Sequence, residues 1–163
     1  AQKTFVERLI AEARDSGAEV REFGELPADL ALKDGNFVRP ALVVDPDPLL
    51  GVVVEEQFGP VVPVIPFDTE EEVIRLANGN WAGLGASVWT ADAEAARRIG
   101  SQMVCGYVWV NDHGAPRLDL RAPFGGMKQS GIGREQGIEG VRAFQDTRSI
   151  ATIDPVALAV AEH

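Results

Sequence analysis

The segment PFGGMKQSGIGREQG, from Pro123 to Gly137, is the most informative part of this chain. It combines an apolar anchor, five glycines and a fixed order of charged residues, and it contains no repeat. Glycines at this density allow backbone conformations that other residues avoid, and they let two backbone segments approach closely. Binding residues are concentrated in loops that a rigid scaffold positions. The segment therefore predicts a functional loop.

Two further segments precede this loop, EEQFGPV at Glu55 to Val61 and LANGNWAGLGASVWT at Leu76 to Thr90. In this order and at this spacing, the three segments resemble the C-terminal part of an NAD(P)-dependent aldehyde dehydrogenase. Three ordered segments of this length are far more specific than a single short motif. The resemblance extends from about Phe5 to about Ile153.

The resemblance implies an α/β fold. It is that of the C-terminal half of the aldehyde dehydrogenase catalytic domain, with a three-layer parallel-type sheet, flanking helices and a terminal oligomerisation strand. Residues 1–122 are then a partial catalytic domain. Residues 123–145 are the glycine-rich loop and a helix that return toward a missing cofactor domain, and residues 146–163 are an oligomerisation strand and tail.

The hydrophobic pattern indicates the same fold class independently. Apolar residues from Phe5 to Ala13 have helical spacing, and they predict an amphipathic helix that stops at Ser16-Gly17. Strands and helices are then predicted at 20–23, 37–44, 61–67, 70–78, 85–90, 93–102 and 104–111, followed by a short helix at 135–144. The strand-helix-strand-helix-strand order from Val61 predicts right-handed crossovers and a buried parallel sheet. A last strand, Arg148 to Ile153, has no later strand to pair with, so its backbone groups must pair backward or with another chain.

Composition excludes several classes of partner. The chain has 15 Lys plus Arg and 25 Asp plus Glu, a net charge of −10, which disfavours binding to nucleic acid. Its longest apolar runs are well below the ~20 residues that span a bilayer. The single cysteine, Cys105, cannot form an internal disulfide, which favours a reducing cytoplasm. Cys105, His113 and His163 lack the spacing of metal ligands.

Glu56 and Phe58 are the candidate cofactor residues. By resemblance, Glu56 hydrogen-bonds the nicotinamide ribose hydroxyls, and Phe58 packs near the nicotinamide ring. Composition alone instead favours a solvated acidic pair beside a buried aromatic. Glu55 is assigned to that solvated role.

Phe124 and His113 are the candidate substrate-pocket residues. By resemblance, Phe124 lines the funnel through which the aldehyde enters, although a role as an ordinary core anchor is equally open. His113 lies in a loop that varies with substrate in the family, and the alternative is a solvent-exposed histidine. Asn111 matches a family residue that hydrogen-bonds a turn.

Two segments suggest a catalytic or cofactor-binding role that their surroundings in the sequence do not support. Gly131 to Gly137 superficially resembles a dinucleotide-binding turn, but such a turn leaves a strand, opens a helix and is followed by further strands. Lys128, Arg134 and Glu135 are expected instead to make fixing polar contacts where the glycines allow close approach to a neighbouring domain. Cys105 lies in an apolar strand with no basic neighbour in sequence to activate it, so it is not predicted to be a nucleophile.

The function implied by the resemblance is oxidation of an aldehyde to a carboxylic acid with NAD or NADP. The family's dinucleotide-binding turn, general base and nucleophilic cysteine match nothing here, so no catalytic residue is assigned. The isolated chain is expected to be inactive, to bind the cofactor weakly or not at all, to need the missing N-terminal cofactor-binding half, and to form a homo-oligomer.

Two other classes remain open. One is a complementing subunit of a split enzyme, and the other is a non-enzymatic oligomerisation or binding module. A free-standing doubly wound ligand-binding domain is weakened, because only three strands alternate with helices.

Overall fold

The computed structural model describes residues 1–26 and 35–151. The helices are α1 (Gln2–Asp15), α2 (Gly51–Val54), α3 (Glu70–Asn78), α4 (Ala93–Gly100) and α5 (Gly137–Arg142), with a 3-10 turn at Ala115–Arg117. The strands are β1 (Glu19–Glu22), β2 (Ala41–Val44), β3 (Val61–Val64), β4 (Ala82–Gly83), β5 (Gly85–Val88), β6 (Tyr107–Val110) and β7 (Met127–Lys128). The α/β class is confirmed, and most elements lie inside the ranges that the hydrophobic pattern predicts.

The strands form three small sheets. The first has the order β1-β2-β3, with β1 antiparallel and β3 parallel to β2. The second is the parallel pair β5-β6, and the third is the antiparallel pair β4-β7. The expected single parallel sheet from β3 through β5 to β6 is therefore wrong for the described residues.

The chemistry of β3 explains why the first sheet ends there. Pro60 and Val64 accept hydrogen bonds from β2, so the backbone groups of Val61 and Pro63 point away from β2. Pro63 has no N–H group to donate. The Val61 N–H donates to the carbonyl of Gly59 at 2.9 Å, and the Val61 carbonyl accepts from the side chain of Gln57 at 3.1 Å. The outer edge of β3 is thus almost fully satisfied without another strand.

The main core lies between α1 and the first sheet. The buried face of α1 consists of residues at helical spacing, namely Val6, Leu9, Ile10 and Ala13. They pack with Ala41, Val43, Val52 and Val61. The amphipathic helix predicted from sequence is confirmed, and its core face fixes the entry to β3.

Side-chain caps begin α3 and α4, the helices that follow β3 and β5 in the chain. Thr69 accepts a hydrogen bond from the Glu72 N–H at 3.2 Å, as the capping-box spacing predicts. Asp92 caps α4 by accepting from the backbone of Glu94 and Ala95. A bidentate contact from Arg98 to Glu70, at 2.6 and 2.7 Å, then joins α4 to the start of α3.

The last helix is shorter than predicted. Glu135 is not helical because it pairs with Phe124 in an isolated antiparallel bridge. Gln136 follows with φ 61° and ψ 174°, so α5 begins only at Gly137. Of the predicted strand at 148–153, the described residues 148–151 form no strand, and the remaining two lie outside the described residues.

Candidate functional site

The segment after α2 is held against the β4 strand. The Trp81 indole donates to the Val54 carbonyl at 2.8 Å, where α2 ends. Arg8 lies 3.5 Å from the carboxylate of Glu55. Among the described residues, this pairing leaves Glu56 without an ion pair, so Glu56 is the carboxylate available to a ligand.

Glu56 lines a cavity of about 460 Å³ between the ends of α3 and β4 and the strand β7. Other residues on its wall include Asn80, Trp81, Cys105, Gln129 and Ser130. The cavity therefore combines one carboxylate with amide and hydroxyl groups, a set that suits a polyhydroxylated ligand.

Phe58 does not line the same cavity as Glu56. Its side chain is 78% exposed, and it lines a separate pocket of about 390 Å³ with Val6, Phe37 and Gly59. A side chain on Gly59 would collide with Val6, which explains the glycine that follows Phe58. The interpretation of Phe58 as a buried aromatic is wrong, and the two candidate cofactor residues line separate pockets.

A row of four rings joins the two candidate substrate residues. Tyr107 and Trp109 are alternate residues of β6, and their ring centroids lie 4.6 Å apart. Phe124 meets Tyr107 edge-on at 6.0 Å, and His113 lies 5.2 Å from Trp109. The structure therefore brings Phe124 and His113 to opposite ends of one row. Sequence analysis missed the two middle rings, although alternation along a strand puts residues 107 and 109 on one face.

The loop from 112 to 122 is fixed to this row. The buried Trp109 indole donates to the Arg117 carbonyl at 3.1 Å, and the Asp119 N–H donates to the Tyr107 hydroxyl at 3.3 Å. Within the loop, hydrogen bonds from the Arg121 side chain and backbone lower the pKa of Asp119 to about 2. The loop that holds His113 is thus tied to β6 by aromatic side chains.

The glycine-rich loop makes its polar contacts within the chain. The Lys128 ammonium donates to the carbonyls of Asn78 and Asn80 at 2.9 Å each. Arg134 donates to the Gly126 carbonyl at 2.9 Å, and Glu135 exchanges two backbone hydrogen bonds with Phe124. These contacts match the fixing role predicted for Lys128, Arg134 and Glu135.

The close approach that the glycines allow also lies within the chain. A side chain on Gly106 would overlap the Gly125 carbonyl, so β6 and the glycine-rich loop meet backbone to backbone.

Asn111 and Cys105 have structural surroundings. The Asn111 side chain accepts from the Thr90 N–H and donates to the Thr90 carbonyl, both at 2.9 Å, which ties β6 to the end of β5. The Cys105 thiol donates to the Tyr107 carbonyl at 3.3 Å. No group of His, Cys, Asp and Glu side chains suited to a metal ion occurs within residues 1–26 and 35–151. In the same residues, no helix is long and apolar enough to cross a membrane.

Comparison with known proteins matches residues 1–150 to the aldehyde dehydrogenase family. The betaine aldehyde dehydrogenase of Bacillus subtilis is 37% identical over 145 residues, which are 89% of this chain and 29% of the relative. The 2-hydroxymuconic semialdehyde dehydrogenase of a Pseudomonas species is 42% identical over 141 residues, 85% of this chain and 28% of the relative.

Solved structures give the same result. The crystal structure of a Mycobacterium tuberculosis aldehyde dehydrogenase complexed with NAD+ matches with a TM-score of 0.78 and 41% identity, covering 88% of this chain and 29% of that one. The chain therefore spans less than a third of the length of these relatives.

Proposed function

Since the chain belongs to the aldehyde dehydrogenase family, we propose that it is the C-terminal part of an enzyme that oxidises an aldehyde to a carboxylic acid with a nicotinamide cofactor. The observation that carries this proposal beyond family membership is the aromatic row, which brings Phe124 and His113 onto one wall. In this proposal the row forms part of the aldehyde pocket. A solved relative is complexed with NAD+, which favours NAD as the cofactor.

Glu56 is the residue that fits a cofactor contact. Its carboxylate lines a cavity with other polar side chains and is free of the cation that neutralises Glu55. A carboxylate accepts hydrogen bonds from two neighbouring hydroxyl groups, which suits a ribose. The nicotinamide, when bound, accepts the hydride that the aldehyde carbon loses. Phe58 reaches that ligand only if the ligand extends over the exposed side of the 55–60 segment.

The groups that attack the aldehyde and activate water are assigned to a separate N-terminal part. Cys105 does not replace the nucleophile, because its thiol donates to the Tyr107 carbonyl and no basic residue adjoins it in sequence. The chain contributes the wall of the aldehyde pocket and one end of the cofactor site. Its role is to bind and orient, while the bond-breaking steps require the other part.

The experiment is reconstitution. The chain is mixed or co-expressed with the N-terminal two thirds of the B. subtilis betaine aldehyde dehydrogenase, and NADH production is followed with a panel of aldehydes. We expect no turnover from either piece alone and measurable turnover from the pair. Cys105→Ala should leave that turnover unchanged. Turnover by this chain alone that disappears in Cys105→Ala would contradict the assignment of the nucleophile.

A second candidate function is an association module without catalysis, and exposed apolar side chains favour it. Ile132, Phe144 and Ile150 are 107%, 94% and 85% exposed. A contiguous apolar patch that included such side chains would mark a surface for a partner. The same exposure suits either a separate N-terminal chain or a second copy of this chain. Copurification of an N-terminal partner would favour the enzyme, whereas homo-oligomers that resist reconstitution would favour the module.

A further inference from the structure

Two aromatic side chains of β6 hold the loop from 112 to 122 by an unusual arrangement. Tyr107 contacts residue 119 and Trp109 contacts residue 117, so the contacts run in opposite directions along strand and loop. This is the order of an antiparallel strand pair. Here, however, side chains make the hydrogen bonds that backbone groups make in a sheet. The loop is thereby folded back over the aromatic row.

Other contacts fix the turn and the end of the loop. The chain turns through Gly114, whose φ is +95°. Asp112 and Arg117 face each other across this turn, with 3.6 Å between carboxylate and guanidinium. At the far end, the Leu120 carbonyl accepts from the Gly137 N–H at 3.1 Å. The two β6 side chains act on the middle of a loop whose ends are already anchored.

We propose that Tyr107 and Trp109 are positioning residues for the aldehyde pocket, a proposal that rests on the proposed function of the chain. Trp109 is only 8% exposed, so its indole N–H needs a partner within the protein, and the Arg117 carbonyl is that partner. The Trp109 ring also contacts His113, and the Tyr107 ring contacts Phe124. Each side chain therefore fixes the loop through a hydrogen bond and the pocket wall through its ring.

The two functions of each side chain can be separated by conservative substitution. Tyr107→Phe keeps the ring that contacts Phe124 and removes the hydroxyl that accepts from Asp119. Trp109→Phe keeps an aromatic ring and removes the indole donor. Trp89→Phe is the matched control, because the exposed Trp89 indole donates at 3.1 Å to Ser87, outside this loop.

The first measurement is amide hydrogen exchange by NMR on the isolated chain. We expect Tyr107→Phe to accelerate exchange at the Asp119 amide by roughly three- to tenfold, the effect of losing one net hydrogen bond. Trp109→Phe should accelerate exchange at the Arg117 and Leu118 amides by a similar factor, since the 3-10 turn loses its anchor. Trp89→Phe should change none of these rates. Equal Asp119 exchange in Tyr107→Phe and the parent chain would overturn the positioning role.

The second measurement uses the reconstituted enzyme and addresses the pocket. Loosening the loop should raise the KM for the aldehyde severalfold and leave the KM for NAD unchanged, because the hydrogen bonds that Tyr107 and Trp109 make with the loop do not involve Glu56. A variant that raises both constants equally, or lowers only kcat, would show that the loop does not face the aldehyde. Failure of reconstitution with every variant and the parent alike would count against the proposed function, while the exchange rates would still decide the positioning role.

Discussion

Gln136 carries two local penalties at once. Its φ of 61° and ψ of 174° lie in a region that is nearly exclusive to glycine. Its side-chain oxygen Oε1 is also buried without a hydrogen-bond partner among the described residues. An unsatisfied buried oxygen and a strained backbone each cost about 1–3 kcal/mol. Gln136 connects the Phe124–Glu135 bridge to α5, and both of these are held by backbone hydrogen bonds. Neither therefore depends on the Gln136 side chain.

We expect Gln136→Gly to stabilise the fold by at least about 1 kcal/mol. Glycine relieves both penalties, and this gain exceeds the roughly 0.4–1 kcal/mol that glycine costs through the unfolded state. Urea unfolding followed by tryptophan fluorescence measures the change. Gln129→Gly is the control, because Gln129 has no positive φ and the same substitution there should destabilise.

Asp119 provides a test of the loop by pH. Its pKa is lowered from 3.8 to about 2, first by hydrogen bonds from the Arg121 side chain and then by the Arg121 backbone. Because the folded value is lower than the unfolded value, the contribution of this contact is complete above pH 4 and is lost as the pH falls toward 2.

We expect Arg121→Gln to return the pKa of Asp119 toward its usual value. The measurement is an NMR titration of the Asp119 side-chain carboxyl carbon between pH 2 and 6. Arg117→Gln should leave the titration of Asp119 unchanged, because Arg117 faces Asp112 instead. An identical Asp119 titration in Arg121→Gln and the parent chain would show that the contact is absent in solution.

At the scale of elements, α1 holds the first sheet through a few fully buried side chains. Leu9 is 0% exposed, and its neighbours in the core are Val6, Val43 and Val61. Leu9→Ala should reduce the free energy of unfolding by about 2.7–5 kcal/mol, since the surrounding strands cannot close the cavity fully. Leu49→Ala, at a position that is 82% exposed, should change it by less than about 0.5 kcal/mol. Thermal and urea unfolding of both variants provide the comparison.

Elements with strong local signals could be predicted from sequence. The apolar face of α1, the cap at Thr69 and the apolar run that contains β6 are local patterns, and each element formed inside the range that its pattern indicated. The arrangement of sheets was not predictable in this way, because β3 is closed by contacts from Gln57 and Gly59 that no periodicity reveals.

The candidate site also combines features that the sequence predicts with features that depend on tertiary contacts. The resemblance supplied Phe124 and His113 as separate residues, and Tyr107 and Trp109 became relevant only when the loop folded back over β6. Glu56 and Phe58 are two residues apart, yet they line separate pockets. Sequence spacing indicates which residues matter, whereas tertiary contacts decide which of them meet.

At the scale of the whole molecule, exposed apolar side chains predict association. The intact chain should form oligomers at micromolar concentration, and removal of residues 148–163 should change their size, because Ile150 and the predicted terminal strand are lost together. Light scattering coupled to size-exclusion chromatography measures both chains. A monomeric intact chain under these conditions would contradict the assembly role of the C-terminal segment.

The closed edge of β3 bears on how such oligomers grow. Within Val61–Val64, a strand arriving at this edge would meet one open acceptor, the Pro63 carbonyl, and no open donor. Val62 and Val64 are half-exposed and can make apolar contacts with another chain. Contacts between side chains do not, however, fix the hydrogen-bonding register of an incoming strand. The first sheet therefore cannot serve as a template for fibrous growth from this side.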